Sequence, residues 1–296
     1  MFNPENLRET LECPICQQMV RPNQLAGAFD IEPAALNFLQ EKYPLWQPEK
    51  GVCTNCMQNV LGELLHRQEE DARAEPTVAL YGILPVGLRL GVNNHFNGAG
   101  VTIAFLDSGF SNHPDLAGRI KLYVDASTSR IRELPEVEQS GISSWHGLMT
   151  SVVACGNGSL SGGLYRGLAS GAEVVLVKVS DPEGHITEEG IGRGLGWVLR
   201  NGAKYGIQIV NISLGGNRPN DTGQNTVDML VEALVAQGIL VVCAAGNAGE
   251  RWLVPPASAP SAITVGGLDD KNSLDPTSAE LWHSNYGQTL GGVWKP

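Results

Sequence analysis

The stretch Val101-Thr-Ile-Ala-Phe-Leu-Asp107-Ser-Gly109 decides how the fold is interpreted. Its first six residues are almost entirely apolar and too few for a surface helix, which is typical of a strand covered on both faces. Asp107 is the first charged residue after that run. Functional residues gather at the carboxyl ends of parallel strands, so the pattern predicts that Asp107 faces a crevice there. An Asp followed by Ser-Gly is also a common turn former, and this segment alone leaves both interpretations open.

Similar apolar runs recur further along the chain, with helical periods between them. The runs are Val174 to Val179, Ile207 to Ile212, Ile239 to Ala245 and Ala262 to Val265. Apolar residues follow the helical period from Ile191 to Leu199 and from Val227 to Val235. This alternation predicts an α/β fold with a mostly parallel sheet and helices on both faces.

The sequence before the first run indicates a separate unit. Between Glu70 and Pro85 a charged stretch gives way to one punctuated by Pro and Gly, which is typical of a domain boundary. We therefore expect a small amino-terminal module over residues 1–75 and a large domain over residues 80–296.

The small module contains two Cys-x-x-Cys pairs. They are Cys13 with Cys16 and Cys53 with Cys56. Two thiolates at this spacing reach one tetrahedral Zn²⁺, and four thiolates leave no open position, so the pattern predicts a structural zinc site. Redox pairs or disulfides are the alternatives, but a metal is favoured because it would close a module with too little core. A calcium site cannot be read from the sequence.

Charge and apolar content exclude several classes of function. The net charge of -11 argues against a nucleic-acid binder, which needs a basic surface. The first ten residues lack the pattern of a secretory signal, and no apolar stretch approaches the ~20 residues of a membrane helix. Cys155 and Cys243 stand alone within apolar runs, where a free thiol packs as a small hydrophobe. We expect a cytoplasmic protein without membrane or nucleic-acid partners.

Three further segments carry residues suited to peptide-bond chemistry. His146 opens a helical run and can act as a base, although a lone His there is also a common cap. Asn247 follows an apolar run through Gly246, so its amide could donate to a developing oxyanion, or it could simply form a turn. The segment Ser213-Leu-Gly-Gly216 offers open backbone to which an extended peptide can pair.

Together and in this order, the motifs resemble those of the subtilisin-like serine proteases, the subtilases. The matching segments are Asp107-Ser-Gly with His113-Pro-Asp-Leu116, His146-Gly, Asn211-Ile-Ser-Leu-Gly, Ala-Ala-Gly-Asn247, Pro256 to Gly267, and His283-Ser-Asn-Tyr-Gly287. The resemblance spans about residue 80 to the end, and chance agreement of so many ordered segments is remote.

The resemblance implies a serine endopeptidase that acts on peptides or proteins. Asp107 would orient the imidazole, His146 would act as general base and then general acid, and Asn247 would stabilise the oxyanion. The residues implied to line the peptide cleft are Ser213, Leu214, Gly215 and Gly246. The family usually has Thr after His-Gly; Leu148 stands there instead, a change expected to affect helix packing more than chemistry.

The nucleophilic serine is the part of the pattern that these residues do not contain. In the family it lies in a Gly-Thr-Ser-Met-Ala-like segment, and no Gly-Thr-Ser occurs among the 296 residues, which end at Trp294-Lys-Pro296. We therefore expect this chain alone to have little or no peptidase activity. Three explanations stay open: a truncated form of a longer protein, a split enzyme whose partner chain brings the serine, and an inactive relative that binds peptides.

Overall fold

The structure is a computed structural model of the chain. It describes residues 10–20, 25–26, 31, 33–53, 55–57, 59–60, 63, 83–92, 96–138, 144–181, 183–216 and 225–296. The predicted boundary between residues 75 and 80 lies outside the described residues.

The amino-terminal part is a small module whose described residues form short strands, a helix and further helical residues at 55–57 and 59–60. Its elements are β1 (Leu11–Glu12), β2 (Met19–Val20), β3 (Leu25–Ala26), α1 (Pro33–Lys42), a 3-10 turn at Pro48–Lys50, and β4 (Val52–Cys53). β1 pairs with β2 and β3 pairs with β4, both antiparallel. Leu39 is fully buried in the core of this module. Trp46 lies in the same core and donates from Nε1 to the Gly51 carbonyl at 2.8 Å.

A short segment with helix α2 (Val86–Arg89) joins this module to the large domain. The amide of Leu84 donates to Asn272 Oδ1 at 2.7 Å, and Arg89 forms an ion pair with Asp270. Leu84 itself packs in the core of the module, so the module and the large domain share this attachment.

The large domain is built on one sheet of seven strands. They are β5 (Thr102–Asp107), β6 (Ile120–Asp125), β7 (Arg132–Leu134), β8 (Glu173–Lys178), β9 (Ile207–Ile212), β10 (Leu240–Ala244) and β11 (Ile263–Val265). Their order is β11-β10-β9-β5-β8-β6-β7. Every neighbouring pair is parallel except β6 with β7, so the predicted mostly parallel sheet is confirmed.

Helices cover both faces of this sheet, as predicted. Helix α3 (Ser144–Cys155) packs on β5 and β8 from one side. Helices α4 (Glu188–Tyr205) and α5 (Thr226–Ala236) pack on β5, β9 and β10 from the other. The side chain of Thr187 caps the start of α4, and Asn225 caps α5, because each accepts from free backbone amides of the first turn.

Short elements complete the large domain. They are 3-10 turns at Pro114–Leu116, Ser159–Ser161 and Pro276–Ser278, and the strands β12 (Leu268–Asp269), β13 (Glu280–Leu281), β14 (Gly287–Gln288) and β15 (Trp294–Lys295). β12 pairs with β13 and β14 with β15. Among the described residues, none of the helices combines the length and apolar character needed to cross a bilayer.

Candidate active site

Asp107 and His146 form a hydrogen-bonded pair at the carboxyl edge of the sheet. Asp107 is the last residue of β5 and its side chain is fully buried, whereas the His146 side chain is 30% exposed. His146 Nδ1 lies 2.7 Å from Asp107 Oδ1. A carboxylate only accepts hydrogen bonds, so the shared proton belongs to Nδ1. In the neutral imidazole this leaves a lone pair on Nε2, the nitrogen that points away from Asp107.

Local contacts hold Asp107 in place. The amide of Ser108 donates to Oδ1 at 2.7 Å, and the Thr150 hydroxyl donates to Oδ2 at 3.1 Å. Thr150 lies one helical turn after His146, on the same face of α3. Strand β5 and helix α3 therefore both contribute donors to a carboxylate that would otherwise be buried without compensation.

A glycine permits the close approach of α3 to β5. A Cβ built on Gly147 would lie 2.2 Å from the Gly109 carbonyl oxygen and 2.9 Å from Asp107 Cβ. No side chain fits there, so the His-Gly pair is a packing requirement as well as a sequence motif. Leu148, which replaces the usual Thr, follows in the same helix.

The segment that carries Asn247 lies at the same edge of the sheet. In the register of the sheet, Ala244 at the end of β10 lies level with Asp107 at the end of β5. Strand β9 lies between them, so the two residues are about 10 Å apart. Asn247 follows three residues later, and its side chain is exposed. The loop is entered through Gly246 at a φ of +106°, a conformation that favours glycine.

A buried asparagine fixes this loop. Asn285 is 3% exposed, and its Oδ1 accepts from the amides of Ala248 at 2.8 Å and Glu250 at 3.3 Å. The backbone N–H of Asn285 donates to the Gly246 carbonyl at 3.0 Å. The backbone on both sides of Asn247 is therefore held by one residue from a distant part of the sequence.

The predicted peptide-pairing segment follows β9. Leu214 is buried, Gly215 is exposed, and Ser213 accepts from Asn211 Nδ2 at 3.1 Å. The amide of Gly216 donates to the carbonyl of Pro255 at 2.7 Å. One edge of the segment is thus tied to the domain, and the exposed backbone of Gly215 leaves room for an added strand.

The four cysteines of the small module converge on one point. Their sulfur atoms all lie within 4.8 Å of one another. The Sγ atoms of Cys13 and Cys56 are 3.9 Å apart, and those of Cys16 and Cys53 are 3.6 Å apart. Both distances match the roughly 3.8 Å between thiolates that each lie ~2.3 Å from a tetrahedral zinc ion, and both are far longer than a disulfide. All six cysteines of the chain are free thiols.

The electrostatics of the cluster also suit a cation. Burial acts to raise the pKa of Cys13, but amide donors from Cys16, Cys53 and Ile15 outweigh it and lower that pKa to about 7. Burial and the neighbouring thiols raise the pKa of Cys53 to about 11 and that of Cys56 further. Four thiolates cannot ionise together in this space unless a positive charge joins them. The four-cysteine set therefore fits a metal ion.

The structure brings together most of the predicted residues and adds three that the sequence analysis missed. Asp107 pairs with His146, and the four cysteines form one cluster. Thr150 and Asn285 hold the site from outside the motifs. The helical spacing from His146 would have indicated Thr150, but no local pattern indicates the contacts of Asn285. The third is Glu188, whose carboxylate lies against the peptide-pairing segment.

Comparisons with known proteins agree with this geometry. The sequence model of the subtilase family matches residues 98–296. Serine protease AprX of Bacillus subtilis (strain 168) is 32% identical over 209 residues, covering 67% of this chain and 45% of that protein. Subtilisin BL of Lederbergia lenta is 31% identical over 193 residues, covering 65% of each. The chain thus spans about half to two thirds of the length of these relatives.

Solved structures show the same fold. Sphericase superimposes with a TM-score of 0.57 at 23% identity, covering 69% of this chain and 66% of that one. S41 psychrophilic protease gives a TM-score of 0.54 at 23% identity, covering 65% and 60%. The subtilisin-like arrangement of the large domain is confirmed by these likenesses.

Proposed function

Since the chain belongs to the subtilase family, we propose that it provides the acid-base part of a serine endopeptidase. The observation that carries the proposal is the 2.7 Å contact between His146 Nδ1 and the buried carboxylate of Asp107. It fixes the imidazole with Nε2 free to take a proton, which is the arrangement that activates a serine hydroxyl.

In the proposed hydrolysis, Asp107, His146 and Asn247 each have a defined role. As the serine oxygen bonds to the peptide carbonyl carbon, its proton passes to His146 Nε2. His146⁺ then gives that proton to the leaving amine as the C–N bond breaks, and water repeats the sequence on the acyl-enzyme. Asp107 stabilises the imidazolium through Nδ1–H. Asn247 donates its amide to the oxyanion, a contribution of about 3 to 4 kcal/mol in such sites.

We propose that a segment outside residues 1–296 supplies the serine and packs beside α3. A partly exposed apolar patch at one end of the sheet supports this. Leu240, Ile263 and Val265 lie on the α3 side of β10 and β11 and are 53%, 50% and 49% exposed. Parallel strands are normally covered on both faces, but about half of each of these side chains is exposed. The serine-bearing segment, in the same polypeptide or a partner chain, would bury them.

A matched pair of histidine variants tests the proposal. The protein is produced as its gene encodes it, and release of fluorescent peptides from labelled casein is measured. His146→Ala should lower the rate by about 10³-fold or more, because the serine loses its base. His185→Ala is the control, since His185 also lies beside an aspartate, Asp181 at 3.3 Å, but is 75% exposed. It should retain full activity.

Two results would contradict the proposal. Turnover retained in His146→Ala would remove His146 from the mechanism. Tight peptide binding by the whole protein without any hydrolysis would instead identify the inactive, peptide-binding relative.

We propose zinc as the metal of the four-cysteine cluster, in a structural role. The four-thiolate donor set, the sulfur distances and the lack of an open position support it. When bound, the ion would link both cysteine pairs and so stabilise the fold of the module. We also propose a cytoplasmic location, which is supported because none of the six cysteines forms a disulfide.

A further inference from the structure

The peptide-pairing segment Ser213–Gly216 lies against a carboxylate from another element. A Cβ built on Gly216 would lie 2.4 Å from Glu188 Oε1 and 2.9 Å from Glu188 Cδ. The carboxylate therefore lies against the backbone of Gly216, and a side chain at position 216 would displace it.

The position of Glu188 is fixed from two sides. It is the first residue of α4, directly after the capping Thr187. Its Oε2 accepts from Asn225 Nδ2 at 2.8 Å, and Asn225 is itself held because its Oδ1 caps α5. The carboxylate is thus placed by the ends of two helices and not by a mobile surface chain.

Glu188 has no cationic partner in the described part of the chain. The neighbouring Glu189 pairs with Arg193 at 2.9 Å, but no Lys or Arg among the described residues lies within ion-pair distance of Glu188. Its Oε1, the oxygen nearest Gly216, accepts no hydrogen bond from a described residue. A negative charge with an unused acceptor therefore faces the cleft.

We propose that Glu188 gives the cleft a preference for a basic side chain in the peptide residue that lies beside Gly216. The inference rests on the proposed function, because it requires that a peptide pairs with this segment. An extended peptide places alternate side chains toward the protein, so one of them reaches the Glu188 carboxylate. Lys or Arg there gains a charge-assisted contact, whereas an acidic side chain is repelled.

A lysine scan tests this on the chain itself and needs no hydrolysis. Fluorescent, end-blocked octapeptides carry one lysine at successive positions, and each is matched by a peptide with norleucine, which has the same stem without the charge. Fluorescence polarisation gives the two dissociation constants. At one position lysine should bind about fivefold more tightly than norleucine, as expected of a partly exposed ion pair. The ratio should shrink as NaCl is raised.

Glu188→Gln should abolish this ratio, and Glu189→Gln is the matched control. Both variants remove one negative charge from the first turn of α4, so they change the overall attraction of the acidic chain for lysine equally. Glu189→Gln should keep the fivefold preference.

The outcomes separate the two proposals. If no octapeptide binds, the proposal that a peptide pairs with Ser213–Gly216 is wrong, and so is the role proposed for Glu188. If the peptides bind but lysine and norleucine are equal at every position, the cleft stands and the role of Glu188 is overturned. A lysine preference that survives Glu188→Gln overturns it as well.

Discussion

Gly147→Ala tests whether the packing of α3 on β5 sets the Asp107–His146 geometry. The added Cβ would lie 2.2 Å from the Gly109 carbonyl oxygen and 2.8 Å from Phe110 Cε1. Contacts under 3.0 Å essentially never occur at real Cβ atoms, so helix and strand must separate by about 0.8 Å. The oxygen belongs to the backbone and cannot rotate away. A displacement of that size along the His146–Asp107 direction would stretch their 2.7 Å hydrogen bond to the limit of such bonds.

Gly192→Ala is the control for the change of residue type. Gly192 also lies inside a helix, α4, but the nearest atom to its Cβ would be Leu230 Cδ1 at 3.9 Å. Replacing glycine by alanine stabilises a helix interior by up to about 1 kcal/mol, and Gly192→Ala should gain much of this. Gly147→Ala should instead lose about 1 to 3 kcal/mol through overcrowding.

Two measurements on the 296-residue chain check these values. Urea unfolding followed by circular dichroism should place the midpoint of Gly147→Ala below the unsubstituted protein and that of Gly192→Ala at or above it. The NMR signal of the His146 Nδ1 proton should be present in Gly192→Ala and lost in Gly147→Ala. Equal midpoints for the two variants, with the proton signal kept in both, would refute the steric argument.

Three further predictions concern cysteines and the Asn247 loop. If the four-cysteine cluster holds zinc as proposed, Cys13→Ser should lose the metal, measured by elemental analysis, and unfold the small module, whereas Cys155→Ser should keep it; zinc retained in Cys13→Ser would contradict the four-thiolate site. Burial raises the pKa of Cys155 and Cys243 to about 12, so iodoacetamide at pH 8 should label them only after unfolding, as mass spectrometry would show. Asn285→Ala should lower the unfolding free energy by about 2 kcal/mol and speed hydrogen exchange at residues 248–250; unchanged exchange would show that Asn285 does not hold the loop.

The strands predicted from sequence are those that form mostly apolar runs. The predicted run Ile207 to Ile212 coincides with β9. The predicted run Val101 to Leu106 begins and ends one residue before β5. Strand β6 gives no apolar run in the sequence because its first two residues are partly exposed and include a lysine. Strand β7 gives none because this short edge strand is largely polar, Arg132-Glu-Leu. An apolar run in the sequence identifies a strand, whereas a strand with polar or exposed residues at its start or along its length gives no such signal.

The site was predictable to the extent that its residues lie in local motifs. The order of motifs pointed to Asp107 and His146, which the structure joins by one hydrogen bond. Asn285 fixes the Asn247 loop from a point more than thirty residues along the chain, and Glu188 reaches Gly216 across a similar separation. Such contacts depend on how strands and helices are placed in space, and no spacing along the sequence encodes them.

Asp107 and His146 are held by contacts from α3 and from the turn that follows β5. Asp107 takes its donors from Ser108, Thr150 and His146, and all three lie in β5, α3 or the turn that follows β5. The orientation of the imidazole therefore depends on the packing of α3 against the sheet, which the subtilase-matching residues achieve alone. Addition of a serine-bearing segment would then complete the reaction by placing one hydroxyl near Nε2, with no rearrangement of Asp107. The orientation of the His146 imidazole should therefore not depend on binding of the serine-bearing segment. The NMR signal of the His146 Nδ1 proton should be the same before and after that segment is supplied.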